Sequence, residues 1–199
     1  MRLRLRLHLT ARVYNFDLTE KYSHQAELDA HANSSSSVFL LPDIDALTST
    51  YFVQLTLEDV TGKRLSSNFY WLSKESETLD WSKVTYDTTK ALANAQYGDF
   101  AGLNSLPKVR LKHSSRTEHS GDEMFTHVLV ENPEKSLAMF VHLSVRRSND
   151  GAEALPVRWQ DNYFSLLPGE KREITAEYRR SDLHNSKPMV SVDGWNVVQ

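Results

Sequence analysis

The chain has 199 residues, of which 40% are hydrophobic and 25% are charged, and its formal net charge is −3. A chain of this length and apolar content can bury one or two cores, which excludes wholesale disorder. The near balance of acidic and basic residues provides no basic field, so no nucleic-acid partner is expected. Cysteine is absent, which excludes disulfides, zinc–thiolate sites and thiol nucleophiles.

The N-terminal residues Met1–Leu9 alternate arginine with leucine. A secretory signal would carry a continuous apolar stretch there, and no apolar run in the sequence approaches the ~18–20 residues of a membrane span. The sequence therefore predicts neither an export signal nor a membrane partner.

An alternation of period 2, which is typical of strands, dominates the whole sequence. It begins at the N-terminus, where odd-numbered residues from Leu3 to Val13 are apolar and even-numbered residues from Arg2 to Arg12 are polar. Further strands are predicted at the roughly 8–12-residue spacing of a β-sandwich. In the first half they are Tyr22–Ala30, Ser37–Leu41, Tyr51–Asp59 and Leu65–Leu72. In the second half they are Val109–Ser115, Met124–Glu131, Ala138–Arg147, Ala154–Asn162, Lys171–Tyr178 and Met189–Val192.

Turn and linker signals divide these strands. The stretch from Asp59 to Lys63 has hairpin-turn chemistry because Gly62 can adopt a positive φ. The alternation fades between Ser73 and Pro107, where Thr88–Tyr97 has the composition for a helical turn or two. The sequence therefore predicts an all-β protein of two tandem β-sandwiches, residues 1–80 and 103–199, joined by a linker at residues 81–102.

The histidines, serines and glycines form no recognisable catalytic or cofactor motif. None of the eight histidines has metal-ligand spacing. His8, His127 and His142 alternate with apolar neighbours on predicted strands, so we expect structural roles for them. No nucleophilic serine elbow and no phosphate-binding glycine loop is present. We therefore expect neither a metal nor any other cofactor.

Two local pairs of carboxylates are candidates for glycosidase chemistry, which needs two acids across the scissile bond. Asp43 and Asp45 follow a proline in a loop, and Asp122 and Glu123 follow Gly121 in a predicted hairpin turn. Acids are favoured at such positions for turn formation and solvation alone. We expect both pairs to be turn residues, and a site assembled from distant residues stays open.

The four tryptophans are candidates for sugar binding, because flat aromatic faces stack on sugar rings. Trp71 and Trp159 lie in apolar strand contexts and are expected to pack in a core or between domains. Trp81 in the linker and Trp195 near the C-terminus are expected to cover an adjacent domain surface. Trp159 shares a strand face with Val157, so Trp159→Ala is expected to cost roughly 3–5 kcal/mol of stability.

Four motifs, in this order along the chain, resemble one family. They are Asn68–Ser73 (NFYWLS), Asp99–Pro107 (DFAGLNSLP), Val157–Glu170 (VRWQDNYFSLLPGE) and Val190–Val197 (VSVDGWNV). The family is the exo-β-1,4-glucosaminidase and endo-β-mannosidase branch of glycoside hydrolase family 2. The resemblance covers the chain from about Leu9 to Val197.

The resemblance implies a place within a larger, modular enzyme that is secreted or periplasmic. Members of the family carry a sugar-binding-like sandwich, an immunoglobulin-like domain, a (β/α)₈ barrel with two catalytic glutamates, and two C-terminal immunoglobulin-like domains. This chain resembles the last two. A barrel of roughly 250 residues does not fit in it, so none of the family's catalytic residues is carried over.

The beginning of the chain departs from the family pattern. The first domain of the pair normally starts with a strand upstream of the one that Leu9–Phe16 resembles, and Met1–Leu7 does not look like that strand. The first sandwich therefore either lacks its N-terminal strand or uses the Arg/Leu segment in its place. An open sheet edge would favour association of the isolated chain.

Three functional readings follow, of which the first is preferred. In it, the chain is the non-catalytic portion of a β-glycosidase, is inactive alone, and scaffolds a catalytic barrel in the same or a separate chain. In the alternative, it is a free-standing carbohydrate-binding module that holds a β-linked polysaccharide on exposed aromatic faces. A generic interaction sandwich is the third, because fold does not fix function. Exposure of the tryptophans discriminates between the first two.

Overall fold

A computed structural model describes residues 5–79 and 94–198, and its regular elements are strands with two short 3₁₀ turns, Ala101–Ser105 and Arg180–Leu183. The first strands are β1 (Leu5–Asn15), β2 (Glu20–Ala30), β3 (Thr50–Asp59), β4 (Arg64–Ser73), β5 (Thr78–Leu79) and β6 (Asn94–Gln96). The others are β7 (Lys112–Ser120), β8 (Glu123–Glu131), β9 (Ala138–Arg147), β10 (Arg158–Trp159), β11 (Phe164–Leu166), β12 (Lys171–Arg179) and β13 (Pro188–Asp193). The predicted all-β class is confirmed. Over the described ranges no helix has the length and hydropathy to span a bilayer.

The chain divides into two compact units, Met1–Ser105 and Leu106–Gln199. Residues 94–102, which lie in the segment predicted as a linker, belong to the first unit. There the Thr50 hydroxyl donates a hydrogen bond to the carbonyl of Asp99, at 2.7 Å. Trp81 and the first part of the predicted helical turn at Thr88–Tyr97 lie outside the described residues.

The first unit is built on an antiparallel sheet of strand order β2-β1-β3-β4. The alternation predicted for its N-terminal strand is confirmed, because Leu7, Ala11 and Val13 are buried on one face while Arg6 and Arg12 are exposed on the other. Leu5–Leu7 extend β1 and pair with β2. In the part of the Arg/Leu segment that the structure describes, Leu5–Leu7 are therefore a continuation of β1.

One end of this sheet is apolar on both faces. Phe52 and Val53 are neighbours in β3 and point to opposite faces, yet both are buried. The ring of Phe52 lies 5.9 Å from that of Phe16 and 5.4 Å from that of Phe69, centroid to centroid. This aromatic stack gives the first unit a second small core beside the leucine face.

The predicted hairpin turn between β3 and β4 is confirmed. Gly62 has a φ of +80°, and Asp59 Oδ1 accepts hydrogen bonds from the Thr61 amide, the Thr61 hydroxyl and the Lys63 amide at 2.8, 2.6 and 3.0 Å. These bonds to Thr61 and Lys63 hold the pKa of Asp59 below its usual value. The turn therefore keeps the register between the two strands.

One prediction for the first half is wrong, and a second fails in the part of it that the structure describes. Ser37–Leu41 is irregular, without a strand partner, and its one ring contact joins Phe39 to His24 at 4.5 Å. The flanking polar run and Pro42, which has no amide donor, disfavour a ladder there. In the described part of Thr88–Tyr97, residues Asn94–Gln96 form a strand against Thr78–Leu79. Pairing with a distant segment overrides the local helical preference of alanine.

The second unit is a β-sandwich of two sheets, with strand orders β10-β12-β8-β7 and β11-β9-β13. Their inner faces share one core. It contains Val128, Val130 and Ile174 from the first sheet and Val141, Leu143, Phe164, Leu166 and Val192 from the second. A parallel bridge pairs Val109 with Val197 at the margin of this core, with hydrogen bonds from Val109 N to Asn196 O at 3.0 Å and from Val198 N to Val109 O at 2.9 Å.

The strand predictions fail at three places in this unit. The strand predicted at Val109–Ser115 instead runs over Lys112–Ser120, and all its residues are exposed. As an edge strand it has no apolar face to signal its length. The strand predicted at Ala154–Asn162 shrinks to Arg158–Trp159 because Pro156 lacks an amide donor and Asn162 hydrogen-bonds β9 with its side chain. The short strand β11 was not predicted.

Candidate functional site

The two predicted carboxylate pairs lie in exposed positions. Asp43 and Asp45 are on the irregular segment before β3, and Asp122 and Glu123 form the turn into β8. Glu123 also borders a cleft of about 520 Å³ that contains two further carboxylates. In that cleft Glu177 is ion-paired with Arg158, and Asp182 accepts a hydrogen bond from the Arg179 amide at 3.0 Å. Both carboxylates have structural partners, which is unlike an acid–base pair kept ready for a substrate.

The three singled-out histidines have structural partners in the described chain. His127 bridges neighbouring strands, with Nδ1 at 2.9 Å from the Thr175 hydroxyl and Nε2 at 2.9 Å from Glu118 Oε1. His8 Nδ1 lies 3.9 Å from Glu27 Oε1. Within residues 5–79 and 94–198 no group of three potential metal ligands comes together.

The tryptophans differ in exposure. Trp71 is half-buried on β4, in register with Phe52. Trp159 is half-buried and packs against both core clusters of the second unit, so its predicted packing role is confirmed. Trp195 is 53% exposed.

Replacing Trp159 with alanine is expected to lower the free energy of unfolding by about 3 kcal/mol, because the indole joins two clusters but keeps one edge in solvent. Urea denaturation of the full chain measures the change. Arg158→Ala is the matched control, since it removes only a solvent-exposed ion pair with Glu177 and should change stability much less. Equal losses in the two variants would contradict the packing role.

An exposed aromatic surface lies on the outer face of the smaller sheet of the second unit. We call it the aromatic patch and define it by Phe140, His142, Tyr163 and Trp195. The Tyr163 ring stacks on the His142 ring at 4.7 Å with an interplanar angle of 20°, and it meets the Phe140 ring edge-on at 6.5 Å. Tyr163 is 59% exposed.

Asn162 holds Tyr163 in place. Its side chain accepts a hydrogen bond from Leu143 N at 2.8 Å and donates one to Leu143 O at 2.9 Å, which attaches the segment before β11 to β9. The same Oδ1 accepts from Tyr163 N at 3.0 Å. Tyr163 has a φ of +57°, a conformation that side-chain-bearing residues seldom adopt. The backbone is thus fixed with the phenol ring outward.

The turn after β13 brings Trp195 beside Phe140. Trp195 N donates to Met139 O at 3.0 Å. A Cβ atom at position 194 would lie 3.0 Å from the carbonyl oxygens of Met139 and Phe140, so only glycine permits this approach. Phe140 itself has a φ of +52°. Backbone constraints on both sides therefore set the geometry of the patch.

One carboxylate, that of Asp193, lies beside the aromatic patch. Asp193 is in register with His142, and its Oδ1 is 3.1 Å from His142 Nδ1. When Nδ1 carries the imidazole proton, it donates a hydrogen bond to this carboxylate. The Asp193 side chain is 51% exposed. Exposed aromatic rings beside an exposed carboxylate form a surface suited to a ligand with an apolar face and a positive charge.

Comparison with known proteins identifies both units. The family model described as the exo-β-D-glucosaminidase Ig-fold domain matches residues 89–197, which is more than half of the chain, and that of the mannosidase Ig/CBM-like domain matches residues 3–74. The two units are therefore immunoglobulin-like domains. The chain belongs to the exo-β-D-glucosaminidase Ig-fold family, in agreement with the resemblance of its four motifs.

Among curated relatives, the exo-β-D-glucosaminidases of Streptomyces avermitilis and Amycolatopsis orientalis are 37% and 35% identical to the chain. Each match includes 96% of this chain but only 22% and 19% of the relative. The crystal structure of the Amycolatopsis orientalis exo-chitosanase CsxA matches 98% of this chain and 23% of its own, with a TM-score of 0.89 and 33% identity. The chain thus spans about a fifth of the length of the relatives it matches.

Two of the four family motifs contain an asparagine whose side chain links distant parts of the chain. Asn162 lies in the third motif and Asn196 in the fourth, and both side chains hydrogen-bond distant backbone groups. The aromatic patch was missed by sequence reasoning, although the cluster Asn162-Tyr163-Phe164 carried a signal. Of these adjacent aromatic residues, Phe164 is buried in the core and Tyr163 is exposed.

Proposed function

We propose that the chain is the C-terminal, non-catalytic part of a β-glycosidase of the exo-β-D-glucosaminidase type, in which it scaffolds a catalytic barrel. The observation that carries this proposal is the match of almost the whole chain to about a fifth of full-length exo-β-D-glucosaminidases. The carboxylates of the cleft add support, because Glu177 is ion-paired with Arg158 and Asp182 accepts a hydrogen bond from the Arg179 amide.

A glucosaminide is preferred over a mannoside as the substrate of the parent enzyme. The relatives with 37% and 35% identity are exo-β-D-glucosaminidases, and a mannosylglycoprotein endo-β-mannosidase of Lilium longiflorum is 33% identical over a shorter stretch of 157 residues. The Amycolatopsis relative has also been crystallised with PNP-β-D-glucosamine.

The scaffolding role predicts two activity results. The purified chain alone has no turnover on chromogenic glucosaminides or mannosides. A chimera in which this chain replaces the matching segment of the Amycolatopsis enzyme keeps its kcat within about tenfold, whereas deletion of that segment abolishes activity. Steady-state kinetics of the three proteins measure both results.

Turnover by the isolated chain at about 1 s⁻¹ or more, abolished by a point mutation within it, would contradict the non-catalytic assignment. A deletion variant that is as active as the chimera would contradict the scaffolding role. Thermal unfolding of the deletion variant separates a folding defect from a catalytic one.

The second partner that we propose is a β-linked polysaccharide. The observation that favours it is the aromatic patch, since exposed planar rings in a rigid setting are suited to sugar rings. This role is compatible with scaffolding and needs a site of its own.

A further inference from the structure

We propose that the aromatic patch, together with Asp193, binds a cationic amino-sugar unit of a β-linked polysaccharide. The inference deepens the proposed polysaccharide role by naming the site and the charge of its ligand. It needs no catalytic barrel, so it can be tested on this chain alone.

The rings provide a surface for the carbon-bound hydrogens of a pyranose. Tyr163 and Trp195 are each more than half exposed; the Tyr163 ring meets that of Phe140, and the Trp195 amide is bound to the carbonyl of the residue before Phe140. The parallel stacking of His142 against Tyr163 fixes the plane of the phenol. A broad apolar face next to polar groups is how proteins bind sugar rings without enclosing them.

The site is largely preformed. Asn162 fixes the backbone of Tyr163 through three hydrogen bonds, and the close approach at Gly194 fixes the turn that carries Trp195. Two residues of the patch, Phe140 and Tyr163, are held at positive φ. Such conformations persist only where the surrounding structure determines them, and a rigid site loses little entropy when a ligand binds.

The charge of the patch selects a cation. Asp193 uses Oδ1 toward His142, and among the residues that the structure describes its second oxygen has no partner. A protonated amine on the sugar would donate a charge-assisted hydrogen bond to this oxygen and would also be attracted to the neighbouring rings.

The nearby basic side chains do not cancel this charge. Arg146, further along β9, is paired with Glu153 at 3.3 Å, and Arg172 is paired with Asp161 at 2.7 Å. With both guanidinium groups matched by an acid, Asp193 gives the patch its net negative character. A neutral N-acetylated sugar would keep the stacking and lose the ion pair.

Titration of the full chain with β-1,4-linked glucosamine oligomers, followed by amide NMR shifts and tryptophan fluorescence, tests the proposal. We expect the shifts to cluster around the patch. Tyr163→Ala and Trp195→Ala should each weaken binding at least about tenfold, and Tyr163→Phe should retain it. Asp193→Asn should weaken binding of the glucosamine oligomer and leave that of the N-acetylglucosamine oligomer unchanged.

Two matched variants control for nonspecific effects. Tyr97→Ala removes a tyrosine that is 64% exposed in the first unit, and Asp122→Asn removes one exposed negative charge in the turn before β8, on the other sheet of the second unit. Both should bind like the wild type. Thermal unfolding of every variant checks that the fold is intact.

Three results would overturn the proposal. They are the absence of binding at about 10 mM oligomer, equal loss in Tyr97→Ala and Tyr163→Ala, and equal affinity for the charged and the N-acetylated oligomers in the wild type. Binding of a separately expressed catalytic barrel by the patch, with no response to sugar, would identify a domain interface and would also overturn it. The three binding results leave the scaffolding role unaffected, whereas binding of the barrel by the patch would support that role.

Discussion

Asn196→Ala is expected to lower the free energy of unfolding of the second unit by about 3–5 kcal/mol. Asn196 is almost completely buried, with only 1% of the residue exposed. Its Nδ2 donates to Pro107 O and Leu137 O, both at 2.7 Å, and its Oδ1 accepts from Met139 N at 2.9 Å. Alanine leaves these backbone groups without partners, and each buried orphan costs about 1–3 kcal/mol.

Urea denaturation, followed by amide NMR signals of the second unit, measures this loss. Asn149→Ala is the matched control, because Asn149 lies in an exposed turn and its backbone amide donates to the Ser186 hydroxyl at 3.2 Å, a bond that alanine keeps. The control should unfold within about 0.5 kcal/mol of the wild type. A similar midpoint for both variants would mean that water replaces the asparagine at little cost.

Phe52→Ala is expected to destabilise the first unit by about 3–5 kcal/mol, the range for truncation of a large buried aromatic side chain. Phe52 is fully buried, and its ring lies between Phe16 and Phe69. The cavity would remain because the backbone of both neighbours is fixed: Phe69 is paired with β3, and the Phe16 amide donates to the Thr48 hydroxyl at 2.9 Å. Amide signals of β1 and β3 should disappear at lower urea concentration, while those of β8 and β12 keep their midpoint.

Val60→Ala is the control for this prediction, since Val60 is an exposed residue of the β3–β4 turn. It removes apolar atoms without opening a cavity and should change stability by less than about 0.5 kcal/mol. A loss for Phe52→Ala no larger than that of Val60→Ala would show that the aromatic stack contributes no packing energy.

The strands with one buried face were predictable from the sequence. In β8 and β9 apolar and polar residues alternate because one face meets the core and the other meets solvent. The strand β7 has no buried face, so its polar sequence gave no sign of where it ends. Ser37–Leu41 is a short apolar run without a partner strand, and an apolar run alone does not supply one.

The candidate site was only partly predictable. The packing role of Trp159 followed from its strand face, which it shares with Val157. The hydrogen bonds from the Asn162 and Asn196 side chains were not predictable, because their partners lie far along the chain. An asparagine that only forms a turn and one that also binds a distant strand have the same local sequence. The exposure of Tyr163 depends on its positive φ, which no propensity scale assigns to tyrosine.

The parallel bridge between Val109 and Val197 determines how the second unit responds to mechanical force. These residues are adjacent in space but lie near the first and last residues of the unit, so tension applied to those two ends of the unit's chain pulls them in opposite directions along the pair. Segments that run parallel must then slide past each other, and the bonds from Val109 N to Asn196 O and from Val198 N to Val109 O are sheared together. An antiparallel hairpin would instead open one bond at a time. The second unit should therefore resist stretching along the polypeptide better than its number of terminal hydrogen bonds suggests.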